Sequence, residues 1–418
     1  MTRSALEDLR ASLAGRPLLG FDTQAWVTGG STGAKPAFVG GPSYSSATYT
    51  VGPGQTSSGL VVSSGQSDVV SGGGVAQSTQ VLSGGVQQVG YGGTASGTQV
   101  AGGGAEQVSY GGTASGSVIS GGGQQQITYS GNANGTEVSS GGLQNVLNGG
   151  TASGTQVASG GIAYVAGGTA SGTQVASGGT LVVQSGASAV DTTGPGTVTS
   201  TGVIYSTPTG AGYAPIVASG IVVSGANSFV DVLASGTLSG ATIGSGAGIL
   251  SGGKSGATVL SGGTADGTVV VDGGRQSVLS GGTASGTVVS SGGYESVGGT
   301  ATGTVVSSGG VQQVDYLGTA SGTVISGGGL QQVNYLGTAS GTVISGGGLQ
   351  QVNYSGTANG TVVSSGGLQV VSGYGRASGT QVASGGIEYL SAGATASGTQ
   401  VSSGGILVVQ SGASAVDT

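Results

Sequence analysis

The chain has 418 residues, of which 98 are Gly, 36% are hydrophobic and only 5% are charged, with a net charge of −7. That much Gly without a G-X-Y triplet excludes collagen, and low charge with ample Val, Ile and Leu excludes a polar disordered chain. Cys and His are absent and Lys plus Arg number only 7, which removes thiolate and imidazole chemistry and a basic nucleic-acid footprint.

At the N-terminus, MTRSALEDLRASLAG lacks the apolar stretch of a secretory signal. Ser4 and Glu7 instead make a capping box, and Leu6, Leu9 and Leu13 share one helical face, so a short helix is expected over about 5–14. Phe21, Trp26 and Phe38 follow in a segment suited to covering a sheet end, and 1–55 is taken as an N-terminal helix and cap. No apolar run reaches the roughly 18–20 residues of a membrane helix, so no transmembrane segment is expected.

From 56 onward the sequence repeats itself. LGTASGTVISGGGLQQVNY occupies 317–335 and recurs identically at 336–354, and the Thr-Ala pair returns mostly every 19 residues. Such a unit is too short to be a domain, and its two evident β-prone runs cannot bury a face alone. Stacking one unit per coil gives an all-β parallel β-solenoid (β-helix) of about 19 residues per coil. Three columns are expected inside: Val100, Ile119 and Val138 with their successors, Val89, Val108 and Ile127 with theirs, and the small Ala95, Ala114, Ala320 and Ala339. The Thr of each Gly-Thr pair is expected to face inward near a corner. About nineteen coils would make a rod of about 90 Å.

The consensus fails over 193–258, where Pro195, Pro208 and Pro215 oppose a central strand. The expectation is a first repeat block at 56–192, an irregular but continuing solenoid at 193–258 with a loop protruding near 193–216, and a second block at 259–418. LVVQSGASAVDT at 181–192 returns at 407–418, a duplication that suggests one segment of a longer repetitive protein.

The remaining neighbours of the Val columns are taken as outward. Tyr91, Tyr110 and Tyr129, and again Tyr316, Tyr335 and Tyr354, would stack on the surface, and Gln312, Gln331 and Gln350 would form a surface amide ladder. Both suit stabilising ladders or contacts between copies of the chain. The acids are scattered, and Asp266 and Asp272 fall in adjacent turns as solvated groups rather than as a catalytic pair. No catalytic residue, metal site or cofactor is nominated.

GGTASGTVVSSGGYESV at 281–297 and GTATGTVVSSGGVQQV at 299–314 closely resemble the repeats of AIDA-type autotransporter adhesin passengers. The resemblance covers about 60–418. It implies a bacterial cell-surface or extracellular β-helix acting in adhesion, autoaggregation and biofilm formation, with other copies and cell-surface glycans as partners. It also implies O-glycosylation of repeat serines, for which the column Ser96, Ser115, Ser153, Ser171, Ser285, Ser321, Ser340, Ser378 and Ser397 is the candidate by position. The alternative is a self-assembling extracellular fibre or matrix layer, which low charge and surface ladders would serve.

Overall fold

The computed structural model describes residues 47–207, 210–224, 228–244 and 256–418. The expected helix over 5–14 and the segment bearing Phe21, Trp26 and Phe38 lie outside the described residues.

Each coil contains three strands rather than two. A typical coil runs through Val86–Val89, Thr94–Ser96 and Gln99–Val100 before the next begins at Ala105. Strands of successive coils pair in parallel and in register: Ala105 lies between Val86 and Gln124, Thr113 between Thr94 and Asn132, and Val118 between Gln99 and Glu137. The three-residue Thr-Ala-Ser strand escapes a propensity argument because Ala and Ser are poor strand formers and the run is short. Its place is set by pairing, not by local preference.

Alternation along these strands decides the interior. Val89, Ala95 and Val100 are buried, as are Val108, Ala114 and Ile119 one coil on. The Gly-Thr threonines, such as Thr98, Thr155 and Thr323, are buried beside them, as their spacing from the inward Val requires. A coil offers only a few small apolar groups, so its stability comes from the neighbours that cover it above and below.

Glycines mark the corners for two separate reasons. Gly116 has φ +62°, a left-handed corner with no atom near its missing Cβ. Gly112 has an ordinary φ, but a Cβ there would sit 2.2 Å from the carbonyl oxygen of Val89 in the coil before. We expect Gly116→Ala to cost about 1 kcal/mol through backbone strain. Gly112→Ala should cost at least twice as much, because backbone must move. Equal urea midpoints for the two variants would contradict this division.

The solenoid does not run through 193–258. Among the described residues, three sheets of nine, eight and seven strands end by Thr199, and three others follow, one of twelve strands from Val203, one of eleven from Val217 and one of ten from Val222. Where a protruding loop was expected, Val203–Thr207 and Gly210–Ala214 form an antiparallel hairpin. Its first strand pairs antiparallel with Phe229–Val232, which then starts the parallel order of that sheet.

The hairpin lies against the outer face of the first stack rather than projecting. Gln124 Nε2 donates to Ser206 Oγ at 2.9 Å, and the Ala211 amide donates to the Gly141 carbonyl at 3.0 Å. Leu143, Leu147, Ile162, Tyr164 and Val182 of the first stack form one buried cluster with Ile204, Phe229 and Leu233. Those outward apolar side chains needed cover, and the break in the repeat supplies it. In place of one rod there are two stacks, packed outer face to outer face at the junction.

Candidate functional site

The corner after each four-residue strand carries the tyrosines. Tyr91 stacks on Tyr110 with ring centroids 5.2 Å apart, and Tyr110 on Tyr129 at 5.4 Å. Tyr316, Tyr335 and Tyr354 repeat the arrangement at 5.7 and 5.2 Å. All six are exposed, Tyr91 and Tyr316 the most, at 70% and 74%. Each also has a positive φ, between 44° and 52°, which a residue with a bulky side chain adopts at a cost. Parallel stacking, at about 0.5–1.5 kcal/mol per pair, offsets it. Leu317 and Leu336, at 72% and 59% exposed, widen the second column into an apolar strip.

The serine column lies on the outside of the Thr-Ala-Ser strands. Ser96 and Ser115 are exposed, and Ser153, Ser171, Ser285, Ser321, Ser340, Ser378 and Ser397 are half-exposed. Three of these hydroxyls are engaged by the coil before: Ser153 donates to Asn134 Oδ1 at 2.6 Å, Ser285 to Asp266 Oδ1 at 2.7 Å and Ser378 to Asn359 Oδ1 at 2.7 Å.

The glutamine ladder is inside, not on the surface. Gln312, Gln331 and Gln350 are fully buried. They occupy the second place of the four-residue strand, two residues before an inward Val, so the same alternation that buries the Val buries them. Gln331 Nε2 donates to Gln312 Oε1 at 2.7 Å, Gln350 Nε2 to Gln331 Oε1 at 2.7 Å, and Gln369 Nε2 to Gln350 Oε1 at 2.8 Å. The buried threonines complete the network, Thr342 donating to Gln331 Oε1 and Thr361 to Gln350 Oε1, each at 3.2 Å. This accounts for the near-constant Gly-Thr pair: its hydroxyl fills the second lone pair of each ladder carbonyl.

Carboxyls replace amides at a few rungs. Glu106 takes its place between Gln87 and Gln125, Glu295 between Gln276 and Gln312, and Glu388 follows Gln369. Burial pushes all three, and Asp68, above the usual carboxylate range, and hydrogen bonds from Gln and Thr offset this only in part. Glu295 accepts from Gln276 Nε2 at 3.0 Å and Gln312 Nε2 at 2.8 Å, so the amide chain reverses direction there.

Among the described residues no group of three or more His, Cys, Asp or Glu side chains gathers, and no helix is long and apolar enough to cross a membrane. Asp266 is exposed and accepts the Ser285 bond, while Asp272 is exposed at a corner with φ 50°.

The AIDA family, described as an adhesin of the bacterial autotransporter system, probable stalk, matches residues 109–161, 254–310 and 336–386. The repeats in these three stretches are similar to the adhesin-stalk repeats of that family. Among solved structures, the chain is similar to a TibC-catalysed, hyper-glycosylated TibA fragment, at 28% identity over 86% of this chain and 99% of that one, with a TM-score of 0.33. The 9NA siphovirus tailspike receptor-binding domain is similar at 8% identity over 89% and 71%, with a TM-score of 0.19. The Azotobacter vinelandii mannuronan C-5 epimerase AlgE6 A-module is similar at 12% identity over 88% and 89%, with a TM-score of 0.16. No curated protein matches the sequence.

Proposed function

We propose that this chain is a stalk of a bacterial surface adhesin: a stiff, non-catalytic spacer that presents the same side chains coil after coil, at the cell surface or outside the cell. The supporting observation is the in-register stacking of outward columns, which turns one 19-residue motif into a repeating lateral surface. Its role is attachment between cells and to surfaces, and biofilm formation. Copies of the chain and cell-surface glycans are its partners. The Thr-Ala-Ser serines are proposed as O-glycosylation acceptors, on the resemblance of the repeats, with Ser96 and Ser115 the most open of them.

The test is display of the chain on a bacterium that neither clumps nor adheres. Display should cause settling or surface attachment, and a variant with Tyr316, Tyr335 and Tyr354 all changed to Ser should lose much of it while keeping its β-sheet spectrum. Attachment identical with and without the displayed chain would dispose of the adhesin proposal. The fibre alternative draws on the exposed Tyr316–Leu317 and Tyr335–Leu336 strip. Ordered filaments grown from purified protein alone, and abolished by the same triple change, would favour it.

A further inference from the structure

The two stacks end alike in sequence, but only one of those ends is covered. ASGTQVASGGI at 152–162 recurs at 377–387, two residues later each copy has Tyr, and LVVQSGASAVDT follows in both. The outward places of the four-residue strands therefore correspond: Leu143 with Leu368, Ile162 with Ile387, Tyr164 with Tyr389, and Val182 with Val408. In the first stack these four are at most 3% exposed, beneath Ile204, Phe229 and Leu233. In the second, Leu368, Ile387, Tyr389 and Val408 are half-exposed and the neighbouring Ile406 is 51% exposed.

The outward pattern itself changes toward these ends. Earlier coils of the second stack place a polar residue third in the strand, as Gln313, Gln332 and Gln351, which suits a face open to water. Val370, Tyr389 and Val408 then replace it, just as Tyr164 and Val182 follow Gln126 and Asn145 in the first stack. Three successive coils with both outward places apolar and no charge among them are a face built to be covered. Tyr164 shows what covers such a face: its hydroxyl bonds the Asp231 carboxylate, on the strand of the incoming stack that begins the parallel order of the twelve-stranded sheet.

We infer that the face formed by Leu368, Val370, Ile387, Tyr389, Ile406 and Val408 is the seat for a further solenoid stack, joined in series on the same polypeptide through a hairpin of the kind at 203–214. Such a stack would bring an Ile204-, Phe229- and Leu233-like set onto the face and an Asp231-like carboxylate to the Tyr389 hydroxyl. This is independent of what the stalk adheres to.

The chain has no Cys, so introduced thiols report on the site alone. Appending a second copy of residues 193–418 after Thr418 supplies the occupant, and Tyr389→Cys reads it by thiol labelling, with Tyr164→Cys as the covered control. We expect labelling at 389 to slow by roughly tenfold or more in the extended chain, toward the rate at 164. An unchanged rate at 389 while 164 stays protected overturns the inference. If Tyr164→Cys itself labels freely, a disulfide decides: Leu349→Cys should bridge to the appended copy's Ser206→Cys as readily as Gln124→Cys bridges to Ser206→Cys in the parent. Failure of that bridge overturns the inference. Concentration-dependent protection of Tyr389→Cys in the parent chain would also overturn it, by assigning the face to a second copy.

Discussion

Gln331→Ala should lower the stability of the second stack by about 3–5 kcal/mol, far more than the change of any single exposed tyrosine. Removing the amide leaves Gln350 Nε2 and the Thr342 hydroxyl without their acceptor and Gln312 Oε1 without its Gln donor, in a fully buried column. An unsatisfied buried polar group costs about 1–3 kcal/mol, and the space left by the side chain adds a cavity term. Tyr335→Ala, which loses stacking on two exposed neighbours, should cost about 1–2 kcal/mol. Urea unfolding followed by circular dichroism measures both. Equal midpoints for the two variants would mean that the amide column is not the interior support described.

The second large effect is a reversed pH dependence. Carboxyls whose folded titration lies above their unfolded value bind protons more tightly when folded, so their contribution is complete in acid and is lost as the pH rises through the folded value. Glu106, Glu295, Glu388 and Asp68 all shift in that direction, through burial. The solenoid should therefore be more stable near about pH 5 than near about pH 8, opposite to a protein held by ionised carboxylates.

Two of these rungs also identify the repair. Glu106 Oε1 and Glu388 Oε1 have no hydrogen-bond partner, and each stands where the ladder elsewhere places an amide N–H directed at the coil before. Glu106→Gln and Glu388→Gln should each add about 1 kcal/mol at neutral pH, by supplying that donor. Together they should flatten the pH profile. A double variant that melts with an unchanged pH profile would refute the assignment.

The period, the Val and Ala columns and the tyrosine stacks were legible in the sequence because each depends on spacing alone. The buried amides are less legible, because their polarity points to the surface while the parity of the strand points inward. Val89 inward requires Gln87 inward, and the near-constant Gln or Glu at that place, beside a freely varying third residue, was the available signal. The junction was hidden for a different reason. Nothing local to 193–258 says that its partners are Leu143, Ile162 and Tyr164, many residues earlier, although apolar side chains in outward places of those coils were the trace it left.

From Gln312 to Gln369 every amide donates toward the preceding coil, whereas at Glu295 that order reverses. A duplicated 19-residue unit inserted within this span meets matching donors and acceptors on both sides, as the identical copies at 317–335 and 336–354 do. Unequal recombination can thus lengthen or shorten the protein here one coil at a time without a compensating substitution. The same event across Glu295 would set like atoms against each other. Amide polarity therefore divides the gene into stretches that tolerate copy-number variation and fixed nodes that resist it.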